Sequence, residues 1–184
     1  VDFDGDTITT TTDQDTCVQL LSFVDDISPV ITSGCPADTA VACASEVPAP
    51  DTSLLTATDN CEGEVTITHE GDIISNQTCP NDFTITRTYT AMDACGNSAT
   101  CSQVITVTDS IAPVVTCPAN ITVQCTDQVP DPDVATVIAT DNCGGTPVII
   151  HVGDEIIQGA CAERSTITRT YQATDACGNT ATCT

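Results

Sequence analysis

Apolar and polar residues alternate along several short stretches of the chain, and the alternation has a period of two. In the first half, these stretches are LLTATD (54–59), EVTITHE (64–70), FTITRTYTA (83–91) and SQVITVT (102–108). A period of two places successive side chains on opposite faces of a β-strand. Turn-type sequences, namely DNCEG, EGD, CPND and CGN, separate the stretches. Short strands at this spacing, without a helical stretch, predict an antiparallel β-sandwich.

The same pattern returns 82 residues later in the chain. The segment DACGNSATC (93–101) recurs as DACGNTATC (175–183) with a single difference. Six cysteines keep the same step, in the pairs Cys35 and Cys117, Cys43 and Cys125, Cys61 and Cys143, Cys79 and Cys161, Cys95 and Cys177, and Cys101 and Cys183. Self-similarity at a fixed period predicts tandem domains. We therefore expect an all-β protein with a first repeat at 28–109 and a second repeat at 110–184.

Residues 1–27 form an extension that carries part of a further repeat. TCVQLLSFVDDISPV (16–30) matches TCSQVITVTDSIAPV (100–114), so residues 16–26 resemble the last strand of a repeat. The second repeat stops at Thr184, where a counterpart of that strand is expected to follow. The sequence therefore predicts a spare last strand in the extension and a second repeat that lacks its own.

This arrangement predicts head-to-tail assembly of identical subunits. Residues 16–26 of one subunit would pair with the open sheet edge of its neighbour, and a head-to-tail contact propagates into a filament. Cys17, the odd thirteenth cysteine, is the candidate for an intersubunit bond. The alternative is a segment of a longer tandem-repeat adhesin or stalk, whose partners would be surface glycans or other cells.

Thirteen cysteines in 184 residues favour disulfides and an oxidising, extracellular environment. Zinc binding is the alternative, but the paired C-x2-C spacing of most zinc sites does not occur. No apolar run is long enough for a membrane span or for the core of a signal peptide.

The net charge is -23, from 26 acidic residues and three arginines. Such a charge repels nucleic acid and anionic membranes, and it requires counter-ions. Carboxylates gather in DFDGD (2–6), before each repeat and in the recurring turns, and Ca²⁺ takes six to eight oxygen ligands. We therefore predict calcium as a cofactor, although Asp and Asn are also common turn residues. The predicted ligands are Asp2, Asp4, Asp6, Asp25, Asp26, Asp59, Asn60, Asp93, Asp109, Asp141, Asn142 and Asp175.

Three segments, PVVTCPANITV (113–123), ATDNCG (139–144) and TRTYQATDACGNTATC (168–183), resemble hyalin-repeat and related immunoglobulin-like modules of bacterial surface proteins. The resemblance implies two tandem immunoglobulin-like sandwiches, extracellular placement and a structural or adhesive role. It also implies the disulfides Cys35–Cys101, Cys117–Cys183, Cys61–Cys95 and Cys143–Cys177, which leaves Cys43–Cys79 and Cys125–Cys161. Six cysteines in each repeat are more than such modules usually have, and a hairpin bridge, Cys95–Cys101, is the main alternative.

The few basic residues have ordinary structural explanations. Arg87 lies on the apolar face of its predicted strand, as does Arg169 in the second repeat. Each either meets a buried carboxylate or extends along a sheet edge into solvent, and the sequence favours the edge. His69 and His151 are expected to be packed or edge histidines rather than metal ligands.

The sequence contains no nucleophile elbow, phosphate loop, His-Glu zinc helix or C-x-x-C, so we do not expect an enzyme. NQT (76–78) and NIT (120–122) match the glycosylation pattern, which makes Asn76 and Asn120 candidate acceptors.

Overall fold

The computed structural model describes residues 20–61, 63–161 and 164–184. The described residues contain β-strands and four short 3-10 turns but no α-helix. The strands of the first repeat are β1 (Val30–Ser33), β2 (Thr39–Val41), β3 (Thr56–Thr58), β4 (Thr66–Cys79), β5 (Asp82–Met92) and β6 (Ser98–Thr108). Those of the second repeat are β7 (Val114–Thr116), β8 (Ile138–Thr140), β9 (Val148–Gln158), β10 (Ser165–Thr174) and β11 (Thr180–Cys183). The 3-10 turns are Ala44–Glu46, Thr52–Leu54, Thr126–Gln128 and Val134–Thr136. The fold is all-β, as predicted, and its two halves are tandem sandwiches.

The first repeat has one sheet of four strands, in the order β2-β6-β5-β4, and a second sheet of β1 and β3. β5 lies in the middle of the larger sheet and pairs with β6 along its whole length, from Asp82 opposite Thr108 to Met92 opposite Ser98. Alternate residues of these two strands face inwards, because side chains change face at every step along a strand. The buried apolar cluster consists of Phe83, Ile85, Ile105 and Val107, with Val41 and Val47 packed against it.

One strand pair departs from the predicted antiparallel arrangement, because β2 runs parallel to β6. The segment before β2 is fixed to β6 by side chains rather than by a hairpin. Gln103 donates its side-chain amide to the carbonyl of Ala37 (2.8 Å), and the Asp38 carboxylate accepts the backbone N–H of Val104 (2.7 Å). These contacts direct β2 along the edge of β6.

The predicted turn EGD (70–72) is a bulge inside a single long strand. His69 pairs with Tyr89 and Asp72 pairs with Arg87, so β4 has one extra residue relative to β5 between these two pairs. Gly71 has a φ of 107°, a conformation that glycine adopts readily. The bulge bends β4 and brings Asp72 beside Arg87, which a regular register would not do.

The prediction that Arg87 extends along an edge into solvent is wrong. The Arg87 side chain is 3% exposed and donates to both carboxylate oxygens of Asp72, from Nε (2.8 Å) and from Nη2 (2.7 Å). Its remaining terminal nitrogen donates to the carbonyl of Pro48 (2.8 Å). Arg169 pairs with Asp154 in the same way but is 20% exposed. A buried guanidinium requires a carboxylate partner, and the bulge supplies it.

The two histidines complete these clusters. His69 Nε2 lies 2.9 Å from Asp72 Oδ1, and its ring packs at a tilt against Tyr89 with 5.7 Å between centroids. His151 has the same relation to Asp154 (2.7 Å) and to the ring of Tyr171 (5.6 Å). Both are partly buried strand residues. Each therefore acts as a second hydrogen-bonding group on the carboxylate that neutralises the arginine.

In the second repeat, β9 pairs with β10 from Ser165 to Thr174, whereas β11 pairs with β10 only from Tyr171 to Thr174. Within the described residues, the other side of β10 therefore has no partner strand over 165–170. Residues 121–123, which correspond to β2, are not a strand, and Ile121 is 66% exposed. In the part of the chain that the structure describes, this edge of β10 is therefore only partly covered.

Candidate functional site: the junction between the repeats

Two disulfides join the first repeat to the second. Cys43 is bonded to Cys143, with 5.0 Å between Cα atoms, and Cys79 is bonded to Cys177, with 5.1 Å. The backbone N–H of Asp109 also donates to the carbonyl of Asn81, in the turn between β4 and β5 (2.9 Å). One end of the first repeat is therefore covalently attached to the DNC and DACGN turns of the second.

These bonds correct part of the predicted disulfide pattern. The bonds Cys35–Cys101 and Cys117–Cys183 occur at the predicted positions, one within each repeat. The predicted bonds Cys43–Cys79 and Cys143–Cys177 do not form, because each of these four cysteines is bonded to the other repeat. The predicted bonds Cys61–Cys95 and Cys125–Cys161 do not form either, nor does the alternative bond Cys95–Cys101. Among the described residues, the unpaired cysteines are Cys61, Cys95, Cys125 and Cys161, all of them exposed.

The DACGN turn between β10 and β11 holds the linker that connects the two repeats. Asp175 Oδ1 accepts the backbone N–H groups of Cys177 and Asn179 (2.8 Å each), and its Oδ2 accepts the Asn179 side-chain amide (2.8 Å). The same amide donates to the backbone carbonyl of Asp109 in the linker (3.2 Å). Burial opposes ionisation of Asp175, but the hydrogen bonds from Asn179 and the turn backbone hold its pKa below the ordinary value.

The turn between β5 and β6 repeats this arrangement at the other end of the first repeat. Asp93 accepts the N–H groups of Cys95 (2.9 Å) and Asn97 (2.8 Å) and the Asn97 side-chain amide (2.8 Å). Burial opposes ionisation here too, yet the hydrogen bonds from Asn97 keep the pKa of Asp93 low. The Asn97 amide donates to the carbonyl of Asp25 (3.1 Å), as Asn179 does to Asp109. Asp93 and Asp175, both predicted calcium ligands, thus have both oxygens engaged within their turns.

Two carboxylates at the junction retain oxygens without a hydrogen-bond partner. Asp109 is 7% exposed; its Oδ1 accepts the N–H of Ile111 (3.2 Å), whereas its Oδ2 is buried and unpaired. Asp141 accepts the N–H of Cys143 on Oδ2 (2.9 Å), and its Oδ1 is buried and unpaired. Oxygens of these two residues lie within 4.8 Å of each other and of Cys143 Sγ. A buried carboxylate oxygen without a donor is costly, and a cation would satisfy it.

The first repeat has the same grouping of Asp25, Asp59 and Cys61, again within 4.8 Å. Asp59 Oδ1 is buried and unpaired, while Oδ2 accepts the N–H of Cys61 (2.9 Å). Asp25 accepts the N–H of Ile27 (3.2 Å). The hydrogen bond to Asp25, followed by burial, raises the pKa of the Cys61 thiol.

Carboxylate oxygens in such groups fit Ca²⁺, a hard cation with oxygen ligands at 2.3–2.6 Å. The sulfur atoms are excluded as ligands, since Ca²⁺ prefers oxygen and Cys143 is already in a disulfide. Two of the chain's three arginines, Arg87 and Arg169, are already bound to Asp72 and Asp154, so they do not neutralise the carboxylates of these groups.

The other predicted site residues are less engaged in these groups. Asp26 is exposed, and the exposed Asn60 donates its amide to Cys61 Sγ (3.2 Å). Asn142 donates to the sulfurs of Cys143 (3.0 Å) and Cys43 (3.4 Å), so it borders the inter-repeat disulfide. Asn76 and Asn120 are exposed. Asp2, Asp4, Asp6 and Cys17 lie outside the described residues.

The sequence did not indicate the inter-repeat disulfides or the Asn179–Asp109 contact. A signal for the contact was present in the similar spacing between the acidic linker and the DACGN turn, since Asp25 precedes Asn97 by 72 residues and Asp109 precedes Asn179 by 70. These features and the fold define a tandem-repeat β-sandwich protein whose cysteines and linkers build the connections between repeats, an organisation typical of extracellular proteins.

Residues 31–107 and 113–184 both match the family model described as an HYR-like domain with 4 cysteines, and the chain belongs to this family. Each repeat here contains six cysteines. A comparison with curated proteins found no match. Within the described residues, no helix is both long enough and apolar enough to cross a membrane.

Proposed function

We propose that this chain is a structural, non-enzymatic subunit of an extracellular filament that assembles head to tail by strand donation and is stiffened by calcium and disulfides. The observation that carries the proposal is the junction: two repeats joined by two disulfides, with an acidic linker held by the DACGN turn. Among the described residues, the equivalents of the four bonded cysteines are unpaired, namely Cys61 and Cys95 in the first repeat and Cys125 and Cys161 in the second. A chain that has one half of this junction at each end can join further copies in a line, as a filament requires.

The open edge of the second repeat supports strand donation. In the first repeat, β6 covers the full length of β5 and its Ile105 and Val107 are completely buried. The corresponding positions beside β10 are not occupied by any strand over 165–170 in the part of the chain described here. A bare edge of this kind is where a donated strand pairs through main-chain hydrogen bonds.

Residues 20–24 suit this edge. They form no regular structure, and Leu20 and Phe23 are 92% and 93% exposed. By alignment with 104–108, Leu21 and Phe23 correspond to the buried Ile105 and Val107. Large apolar side chains with that exposure are characteristic of an interaction segment.

The side-chain sizes are complementary at one pair of positions. Phe83 faces Val107 in the first repeat, so the large side chain lies on the central strand. The second repeat has Ser165 in place of Phe83, and the donated segment has Phe23 in place of Val107. The aromatic ring is thus on the central strand in the first repeat and would be on the donated strand in the second. Each core would then contain one large side chain at this position, as a close-packed interior requires.

The polarity of the chain supports a neighbouring copy as the acceptor. Asp25 contacts Asn97 at one end of β5, and the junction with the second repeat is at the other end. β5 has 11 residues, which at ~3.4 Å each separates the two ends by roughly 34 Å. Residues 20–24 therefore leave the first repeat at the end opposite the second repeat.

Electron microscopy and size-exclusion chromatography of the oxidised, calcium-loaded 184-residue chain test this assembly. Phe23→Asp should abolish filaments, because it places a charge in the donated core position. Ile73→Asp is the matched control, since Ile73 is 67% exposed on the outer strand β4 and should tolerate the charge. Filaments of Phe23→Asp as long as those of the wild type would contradict strand donation. A wild-type chain that stays monomeric at all concentrations would exclude the filament.

A segment of a longer tandem-repeat adhesin or stalk is the second candidate. The observed junction favours it too, since it joins consecutive repeats of one continuous chain. In that case, the strand beside β10 would come from the same polypeptide. A monomeric 184-residue chain that assembles neither with nor without calcium is the outcome expected from this candidate.

We propose that Ca²⁺ is bound by Asp109 and Asp141 at the junction and by Asp25 and Asp59 at the outer end of the first repeat. The unpaired oxygens of Asp109, Asp141 and Asp59 support these two sites. Calcium would fix the linkers, so the filament or stalk would be stiffer with calcium than without it.

Thermal unfolding in calcium and in EDTA tests the cation sites. Asp109→Asn should remove most of the calcium-dependent rise in the melting temperature, whereas Asp131→Asn should retain it. Asp131 is exposed, and its substitution changes the net charge equally. The same melting temperature of the wild type with and without EDTA would exclude calcium, and equal loss in both variants would indicate unspecific charge screening.

A further inference from the structure

The four unpaired cysteines are the repeat equivalents of the four that cross-link the junction. Cys61 and Cys95 correspond to Cys143 and Cys177, which the second repeat presents to the first. Cys125 and Cys161 correspond to Cys43 and Cys79, which the first repeat presents to the second. The first repeat thus has an unpaired copy of the two cysteines that the second repeat uses at the junction, and the second repeat has an unpaired copy of the two that the first repeat uses there.

We infer that Cys125 and Cys161 of one copy form disulfides with Cys61 and Cys95, respectively, of the next copy. This inference rests on the proposed head-to-tail filament. The same pairing occurs at the observed junction. There, Cys43 bonds to Cys143, the equivalent of Cys61 in the following repeat, and Cys79 bonds to Cys177, the equivalent of Cys95. Both bonds are thereby repeated at every contact between copies.

At two of the unpaired cysteines, Cys125 and Cys95, the local backbone matches that at their paired equivalents. Cys43 and Cys125 each precede a 3-10 turn, with φ, ψ of -121°, 149° and -135°, 153°. Cys95 and Cys177 lie in identical turns, whose glycines Gly96 and Gly178 have φ of 92° and 90°. These two segments therefore already have the backbone conformation of their bonded equivalents.

The linker that would enter the next junction is also in position. Asn97 donates to the Asp25 carbonyl at 3.1 Å, and Asn179 donates to the Asp109 carbonyl at 3.2 Å. The segment before Asp25 is the one proposed to pair with β10 of the preceding copy, just as β6 precedes Asp109. Strand donation therefore brings the outer end of a first repeat to a second repeat in the same way that the chain itself does. Cys125 then faces Cys61, and Cys161 faces Cys95.

Each bond requires a two-electron oxidation, for which a disulfide of a small thiol or of an oxidoreductase is the oxidant. A thiolate of one cysteine attacks the external disulfide RSSR, forms a mixed disulfide and releases RSH after proton uptake. The thiolate of its partner attacks the protein sulfur of that mixed disulfide and releases a second RSH. Two thiols are thereby oxidised and one RSSR is reduced to two RSH.

Isotope-mixed disulfide mapping tests the inference. Full-length chains labelled with ¹⁴N and ¹⁵N are mixed in the reduced state, oxidised with oxidised glutathione in calcium, and alkylated. They are then digested without reduction by an acidic-residue protease, since the chain has only three tryptic sites. The expected products are hybrid ¹⁴N/¹⁵N peptide pairs that join Cys61 to Cys125 and Cys95 to Cys161.

Two single variants assign the pairing. Cys125→Ser should leave Cys61 open to alkylation while Cys95 remains bonded to Cys161, and Cys161→Ser should do the reverse. Thr126→Ser, at an exposed position beside Cys125, is the control and should leave both bonds intact. If Cys125→Ser left Cys61 bonded, or if Cys161→Ser left Cys95 bonded, the assignment would be wrong.

Failure of the inference and failure of the filament have different results. Filaments in which the four cysteines remain free thiols, or form Cys61–Cys95 and Cys125–Cys161 within one copy, would overturn the inference and leave the filament standing. Monomers that contain those intramolecular bonds would overturn both.

Discussion

Replacing Asp72 by Asn should strongly destabilise the first repeat, because it leaves the Arg87 guanidinium charged and buried. Arg87 is 3% exposed, and two of its three hydrogen bonds end on the Asp72 carboxylate. Removing one partner of a buried ion pair costs ~3–5 kcal/mol. Asn retains one acceptor and Asp72 is 28% exposed, so partial solvation reduces the loss to roughly 2–3 kcal/mol.

The chain provides a matched control in Asp154→Asn. The second repeat has the same pair, with Arg169 Nη2 at 2.9 Å from Asp154, but Arg169 is 20% exposed. Water reaches that guanidinium, so we expect a clearly smaller loss there. Urea unfolding of the oxidised chain, followed by circular dichroism, measures both changes in the free energy of unfolding. Hydrogen exchange of β5 and β10 shows which repeat is affected.

Equal losses for the two variants, or no loss for Asp72→Asn, would refute the reasoning that burial of Arg87 determines the cost. The double variant Asp72→Asn/Arg87→Met gives an independent check, because it removes the uncompensated charge. Replacing both members of a buried pair by groups without charge is often nearly neutral. The double variant should therefore be more stable than Asp72→Asn alone; a further loss would show that the pair contributes through packing rather than charge.

Two further outcomes are expected. Gly34→Ala should lower the melting temperature much more than the control Gly96→Ala. Both glycines have positive φ (87° and 92°), but a Cβ at Gly34 would overlap the backbone oxygen of Leu54, whereas a Cβ at Gly96 would meet nothing within 4 Å. Equal decreases in melting temperature would contradict the importance of the Leu54 contact. Hydrogen bonds from Arg169 and then from His151 lower the pKa of Asp154 to about 2 from an unfolded value of ~3.9. The contribution of Asp154 to stability is therefore present above pH ~4 and is lost as the pH falls through 2. Acid unfolding of Asp154→Asn should be less steep in this range, and an unchanged acid transition would contradict this role of Asp154.

The period-two pattern predicted the central strands β5 and β6 well, because their alternate residues are buried against one core. It could not predict the bulge at Gly71, since a glycine between acidic residues reads equally well as a turn. That single misreading also produced the error at Arg87. Without the bulge, no carboxylate lies beside the arginine, and an edge position is then the reasonable prediction.

The disulfides show a different limit of sequence reasoning. A repeat alignment identifies equivalent cysteines, but it does not distinguish a bond within a repeat from one to the equivalent position in the next repeat. Cys35–Cys101 was implied by the resemblance to known modules, in which such a bond joins the first and last strands of one sandwich. Cys43–Cys143 depends on the orientation of the second repeat, to which the linker contact between Asn179 and Asp109 contributes.

The location of the cross-links makes the stability of each repeat depend on its neighbours. The main buried cluster of the first repeat has only four members, and a domain of about 80 residues buries a modest fraction of its surface. A disulfide that closes a loop of about 100 residues contributes roughly 4.7 kcal/mol in the chain-entropy model, and here the separations are 100 and 98. The second bond closes nearly the same loop, so its added entropic effect is smaller, and it mainly fixes the orientation of the two repeats. Within the proposed filament, a repeat bonded on both sides should therefore open less readily than one at a filament end, and dissociation should proceed from the ends.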